Sequence, residues 1–366
     1  MGRVYEVFGY PAIDEQAAAE EVRRAAWCPF MDGPCDGGGN RHLSSIHLAS
    51  DPELAEYFEH AAGLDQVPAG ICSIRPDAAS HPWIVCPRRL LVLGRQAVGE
   101  RRCQVEVERL VVDLFDYPKG TRLGIWPEVK LKGRDPSFAD SKRFDYTLDY
   151  LLMPLGSLRR DEAPNLEWER RDVWEKAGYF VEDDVVLDAP TGRPAVIEIM
   201  TSSTSGGNKS TGTTIPDAFR RSLLGHESAL GPGINYRQVW ARMVSQLIVK
   251  SEMAATWGGS ALWVLQDVLA DYISATTALD LAPLKSDQMS EVNILSLSYG
   301  DAGYSSRGVV ELPDFQLYAG SVAGAEGTLQ DGYGFLDIIR AGAKPSRDQL
   351  LTALLRRPPA NEILVT

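Results

Sequence analysis

The sequence is short of several things, and each shortage removes a class of protein. No run of 18 apolar residues occurs in its 366 positions, so no membrane-spanning helix is expected. The opening, MGRVYEVFGYPAIDEQAAAEE, mixes acids with apolar residues and has no basic segment leading into an apolar one, the pattern of a secretory leader. Together these predict a cytoplasmic protein with no membrane partner. Basic charge is also scarce. With 37 Lys and Arg against 50 Asp and Glu the net charge is −13, which argues against coating nucleic acid nonspecifically through neutralised phosphates. Basic pairs do occur, among them Arg88/Arg89, Arg159/Arg160 and Arg220/Arg221, but singly such pairs are solvated faces more often than phosphate clamps. There is no internal repeat and no low-complexity tract. At 44% hydrophobic content the chain can bury a sizeable core, as one large domain or two smaller ones.

Cysteine and histidine are few, five of each, yet all five Cys and four of the His lie at or before Cys103. That clustering sets a boundary: residues 1–103 form an N-terminal cysteine-bearing region, and residues 104–366 form the remainder. Cys28 and Cys35 in WCPFMDGPC, Cys72 in GICSI and Cys86 in WIVCPRRL make two pairs. A cytosolic chain does not keep disulfides, so clustered Cys point to a metal before a cross-link. Four thiolates suit zinc or a single iron, and spacing does not choose between them. The absence of a Cys-x-x-Cys leaves buried free thiols as the plain alternative. Cys103 has no partner and reads as a core thiol. His81, near Cys86, reads as a solvated loop residue before a replacement ligand.

Helices are expected over residues 15–26 and 52–62, the second capped by Asp51. VEVERLVVDLFDY fits either helix or strand, whereas RLGIWPEVKLKG and FDYTLDYLLM alternate as strands do. After a charged insertion at about residues 157–178, YFVEDDVVLDAPTGRPAVIEIM reads as two strands about a turn. Helices are then expected in NYRQVWARMVSQLIVKSEMAATW, in SALWVLQDVLADYI and in KPSRDQLLTALLRRP, with late strands in NILSLSYG and GVVELPDFQLYAG. This mixture is of α/β (α+β) class.

Three acids fall at strand-like positions: Glu128 in WPEVKLKG, Asp145 in RFDYTLDYL and Glu198 in VIEIM. A carboxylate inside an apolar strand costs several kcal/mol unless something pairs with it. A hard cation such as Mg²⁺ takes oxygen ligands and would supply that partner in phosphodiester hydrolysis. Such sites also need positive charge, commonly a Lys two residues after the Glu, and here Met200 occupies that place. Lys209, beyond a loop containing Gly206 and Gly207, is the candidate replacement, with the glycines allowing close approach of a phosphate. Glu128-Val-Lys130, with Asp113 or Asp116 upstream, is an internal rival. Taken singly, each acid also reads as a strand-end surface carboxylate.

The ordered set VFGYP, CPF, Cys35, GIC, WIVCPRRL, RFDYTL, VIEIMT, the loop to Lys209, and Arg242 with Gln246 resembles the NotI family of type II restriction endonucleases over most of the chain. The resemblance implies a PD-(D/E)xK nuclease core in residues 104–366 and a structural iron or zinc held by Cys28, Cys35, Cys72 and Cys86. It implies Mg²⁺ at Asp145 and Glu198, with Glu128, Met200, Lys209 and Gln246 about the reacting groups. It further implies double-stranded DNA with a GC-rich palindromic site as substrate, a homodimer to match the palindrome, and a cognate DNA methyltransferase in the same system. The departures are Met200, where the family pattern has Gln, and Ser203 and Ser205, where it has an acid and a His. A noncatalytic metal-stabilised DNA-binding protein and a hydrolase of small phosphoesters are the alternative readings.

Overall fold

Alternation of apolar and polar side chains builds the centre of the molecule. In the computed structural model, which describes all residues except 39–44, 60, 62–63, 78–79, 95–104, 135–141, 277–280, 301–311, 321–344 and 366, Arg122–Arg134 and Arg143–Arg159 form a long antiparallel ribbon. Ala195–Met200 joins antiparallel to the second of these, with Tyr150 opposite Ile197, Leu151 opposite Val196 and Leu152 opposite Ala195. Ser260–Gln266 and Val292–Ser298 follow in parallel, and Asp314–Gly320 closes antiparallel on them. The result is a mixed α/β protein around a sheet that has ten strands among the described residues. A parallel neighbour needs a crossover, and the helix Tyr236–Thr256 supplies it, packing on Ala195–Met200 and on Ser260–Gln266.

The period of two sorts side chains between the sheet's faces. Val196, Leu151 and Ala261 share a core with Met253 of the crossover helix and with Trp257 just beyond its end. Ala195, Ile197, Leu152 and Leu262 share the opposite core with Val111 and Val112 of Val105–Leu114, the segment whose sequence fits helix or strand and which is a helix. Each fully buried Leu, Ile or Val contributes roughly 1.5–3 kcal/mol.

SALWVLQDVLADYI departs from its expected helix. It is a strand, Ser260–Gln266, followed by a helix, Asp267–Thr276. Residues 261–266 are all buried, and a strand covered on both faces is apolar without alternating, so its pattern matches that of a buried helix. The segment expected as two strands contains three, Phe180–Glu182, Val185–Pro190 and Ala195–Met200. The charged stretch before it holds the end of the long strand and a helix, Arg171–Lys176. The expected N-terminal helices are present but shorter, Ala17–Arg24 and Pro52–Tyr57, with Asp51 Oδ1 accepting the Leu54 N–H at 3.2 Å. Ser346 and Gln349 form a capping box on the late helix Arg347–Leu354.

The division expected after residue 103 is not a division in packing. The N-terminal strands Gly2–Val7, Ile71–Arg75 and Trp83–Ile84 are joined by Leu230–Gly231 from far along the chain. Val4, Phe8 and Leu54 share a core with Phe219, Met243 and Trp263. The N-terminal strands are too few and too short to enclose a core alone, so helix Ile215–Gly225 covers them. A buried carboxylate locks the joint. Glu6 accepts from Ser73 Oγ at 2.7 Å and Tyr299 OH at 2.7 Å and pairs with Arg89 Nε at 3.1 Å, Glu6 and Arg89 being essentially inaccessible. Among the described residues no helix is long and apolar enough to cross a membrane.

Candidate functional site: an acid pair beside a cysteine cluster

Side-chain parity places Glu198 on the same face as Val196, toward the crossover helix. There Lys250 Nζ pairs with Glu198 Oε2, and both side chains are buried, at 6% and 3% exposure. Lys250 sits beside the buried Leu247, Val249 and Met253, and each member of the pair is the other's buried partner.

Register decides which aspartate meets Glu198. Ladder pairing between the two strands runs to Tyr150 and Ile197, so the next residues along are Asp149 and Glu198. Each carboxylate takes a backbone N–H from the other strand: Ile199 N donates to Asp149 Oδ2 at 2.8 Å, and Asp149 N donates to Glu198 Oε1 at 3.4 Å. Asp145 shares the parity of Asp149 but lies four residues further on, roughly 14 Å at strand rise. It pairs across the ribbon with Lys132, Nζ to Oδ2 2.9 Å, both largely exposed. The expected juxtaposition of Asp145 with Glu198 is therefore replaced by Asp149 with Glu198.

Burial pushes the Glu198 carboxyl up to about 8; Lys250 pulls it down and Asp149 pushes it up. The Asp149 carboxyl is also raised by burial, against the lowering effects of the Ile199 N–H, Lys250 and Arg88, with Glu128 adding to the rise. Two sheltered acids thus share little positive charge. Glu128 belongs to this neighbourhood as its sequence position suggested, and it is exposed. It adopts φ 51°, left-handed backbone that a glutamate rarely takes, directly after Pro127. The strand bends there, opposite Asp149.

The other expected residues fall as follows. Met200 is half-buried against the N-terminal core and carries no charge to the acids. Lys209 is exposed at the start of a short turn, Lys209–Thr211, and the ammonium at Glu198 is that of Lys250. A Cβ on Gly207 would meet Thr213 O at 2.1 Å, so that glycine serves the loop's own close packing. Ser203 and Ser205 are tied by backbone bonds to Asn235 and Gly233. Gln246 is half-buried one helical turn before Lys250, on the same stripe. The side chain of Arg242, and Cys103, lie outside the described residues. Asp113 and Asp116 border a separate depression with Arg193, and the exposed His81 acts on Asp271.

Sequence reasoning missed Asp149 and Lys250. The first was signalled by its shared parity with Asp145, and the second by being a lone Lys on an apolar helix stripe four residues after Gln246.

Cys28, Cys35, Cys72 and Cys86 line one small pocket together with Asp36, Gly37 and Arg88, all four as free thiols. Burial raises Cys28 to about 11 and Cys86 to about 12, and lifts Cys35 and Cys72 well above the ordinary range; the sulfurs add to one another's shifts. The backbone N–H groups of Phe30 and Met31 act to lower Cys28, and those of Arg88 and Arg89 to lower Cys86, against that burial. Gly37 N reaches Cys35 Sγ at 3.5 Å. The N–H groups two and three residues ahead favour the thiolate, and burial outweighs them. A Cβ on Gly38 would meet Cys86 Sγ at 3.1 Å, and φ 64° there also suits glycine. As neutral thiols the sulfurs stand apart: among the described residues no group of three or more His, Cys, Asp or Glu is drawn together tightly enough to hold a metal ion.

No protein-family model matches the chain, and a search of curated proteins finds no match.

Proposed function

We propose that the protein is a type II restriction endonuclease, hydrolysing phosphodiester bonds of duplex DNA with Mg²⁺ at a GC-rich palindromic site. The observation that carries this reading is the meeting of Asp149 and Glu198 on adjacent strands with Lys250 from the crossover helix. This is the acid, acid and lysine set of a PD-(D/E)xK nuclease, with the lysine brought from the helix in place of Met200. Helix Val105–Leu114, the antiparallel strands, the crossover helix and the parallel strand, as parts of one mixed sheet with helices, support that reading.

The donor set suits a hard cation: two sheltered carboxylates whose charged forms burial disfavours, and which one ammonium leaves short of positive charge. Asp149 and Glu198 would hold Mg²⁺, which when bound supplies Lewis-acid stabilisation of charge at the scissile phosphate. Lys250 fixes Glu198 in its rotamer and places positive charge beside it. The backbone N–H of Ile199 orients Asp149, and Glu128, opposite Asp149, is positioned to hold a proton of the attacking water. Gln246, on the Lys250 stripe, faces the same region. The cysteine cluster is read as the holder of an iron or zinc ion, its N–H-decorated sulfurs contracting on the ion as thiolates. A palindromic site calls for a two-fold homodimer, and an endonuclease of this kind for a methyltransferase protecting host DNA.

Incubation with duplex DNA and Mg²⁺ tests the reading. Discrete fragments whose sequenced ends share one palindrome are expected. Intact DNA at high protein concentration sinks it, and retained tight binding without cutting would favour a noncatalytic DNA-binding protein.

A further inference from the structure

A second cation, Arg88, stands on the turn that joins the cysteine cluster to the strands of the acid pair. Cys86 opens a one-turn helix, Pro87–Leu90, that packs on Ala195–Met200 and Ser260–Gln266. Its Leu90, with the following Leu91, shares a core with Tyr150, Ile197 and Val264. The same segment is stitched to the chain just beyond Glu198, since Ser202 N donates to Ile84 O at 2.9 Å. Arg89 is committed to the buried Glu6 network, which holds the turn in place. Arg88, the residue between, is not buried in that network. Its Nε and Nη2 both reach Asp36 Oδ2 at 3.1 Å, and its side chain keeps 20% of its surface open.

Asp36 directly follows Cys35, and Arg88 is two residues beyond Cys86. The turn that carries Arg88 therefore links the cysteine cluster to the strands of Asp149 and Glu198, its Leu90 packing with Tyr150 and Ile197. Arg88 and Lys250 both act to lower the Asp149 carboxyl against its burial. Lys250 is buried under Glu198 from the helix face, whereas Arg88 stands on the turn whose Leu90 packs in the opposite core, and is partly open to solvent. An arginine in that position has the planar fork that matches phosphate oxygens.

Resting on the nuclease reading above, we propose that Arg88 is a further residue of the cleavage site: a guanidinium aimed by Asp36 from the cysteine cluster onto the phosphate that Asp149 and Glu198 act upon. Arg88 touches substrate in this account, and Asp36 is a positioning residue. The state of the cysteine cluster is then felt directly at the acid pair, because Cys35 and Cys86 fix the backbone that carries both members of the Asp36–Arg88 pair.

The experiment measures single-turnover cleavage and the salt dependence of duplex binding for the unaltered protein, Arg88→Gln, Arg88→Lys and Asp36→Asn. Arg88→Gln is expected to lower the cleavage rate by about 100-fold, and to make the slope of log affinity against log salt shallower by about 0.9, the loss of one phosphate contact. Arg88→Lys restores the slope but not the rate, since an ammonium carries the charge without the fork. Asp36→Asn slows cleavage by roughly tenfold and leaves the slope unchanged, because the charge stays while its aim is lost. Wild-type rate and slope in a folded Arg88→Gln protein overturn the proposal while leaving the nuclease reading standing. If Arg88→Gln does not fold, an Arg88→Lys protein that cuts at the wild-type rate overturns it equally. No cleavage by the unaltered protein with Mg²⁺ or Mn²⁺ removes the nuclease reading itself, and this proposal with it.

Discussion

Binding of a divalent cation at the acid pair should depend steeply on pH over a range where ordinary carboxylates no longer titrate. Burial holds the Glu198 carboxyl up at about 8, so below that pH an incoming cation must displace its proton. Occupancy of that proton rises as pH falls, and affinity drops by about tenfold for each unit below the midpoint. Between a pH of about 9 and one of about 6 the expected loss is roughly 100-fold, about 2.7 kcal/mol. Asp149, also raised, can only steepen the fall. The cation-free protein should show the reverse linkage. Its folded form holds the Glu198 proton more tightly than the unfolded chain does, so this contribution to stability is fully present below the model-peptide value of 4.5 and is lost as pH rises through about 8. Calorimetric titration of Mn²⁺ or Mg²⁺ at several pH values, paired with cation-free melting over the same range, measures both limbs. An affinity that stays flat from pH of about 6 to about 9 would refute the reasoning, since it would mean that no proton is displaced from Glu198.

Other substitutions separate the assignments. Asp149→Asn should reduce cleavage more than about 100-fold, the loss of several kcal/mol of charge stabilisation, while DNA binding persists. Asp145→Asn should leave the cleavage rate unchanged and alter stability by no more than about 1 kcal/mol, because it breaks only an exposed pair with Lys132; a dead Asp145→Asn enzyme with an active Asp149→Asn one would reverse the assignment. Lys250→Met leaves Glu198 buried without its ammonium, so the midpoint of cation binding should move above about 8, and melting at alkaline pH should show a cost of about 3–5 kcal/mol; an unmoved midpoint would show that Lys250 does not act on Glu198. Lys209→Ala should cleave at the wild-type rate, and a collapse in rate would return the loop lysine to the site. Cys72→Ser should lose bound iron or zinc by elemental analysis and lower the melting temperature, whereas unchanged metal content and melting would remove the metal from the cluster.

The alternation in RLGIWPEVKLKG and FDYTLDYLLM determined two strands of the central ribbon, and the Asp51 cap determined where one helix begins, because these signals are local and backbone hydrogen bonding reads them directly. The apolar strand AVIEIM marked Glu198 as a carboxylate in need of a partner, and burial at 2% exposure shows that need in the folded chain. Local signals do not carry register. Asp145 and Asp149 are indistinguishable by parity, and only the pairing of Tyr150 with Ile197 selects Asp149. Nor does the sequence around Glu198 contain its cation, since Lys250 arrives from a helix whose approach is set by the parallel crossover to Ser260–Gln266. That strand itself, buried on both faces, had lost the alternation that would have announced it. What the sequence determined alone was which segments are strands or helices and which acid is misplaced in an apolar run. Only the tertiary structure decided which aspartate and which lysine surround it, because those distances are fixed by register and helix docking between residues far apart along the chain.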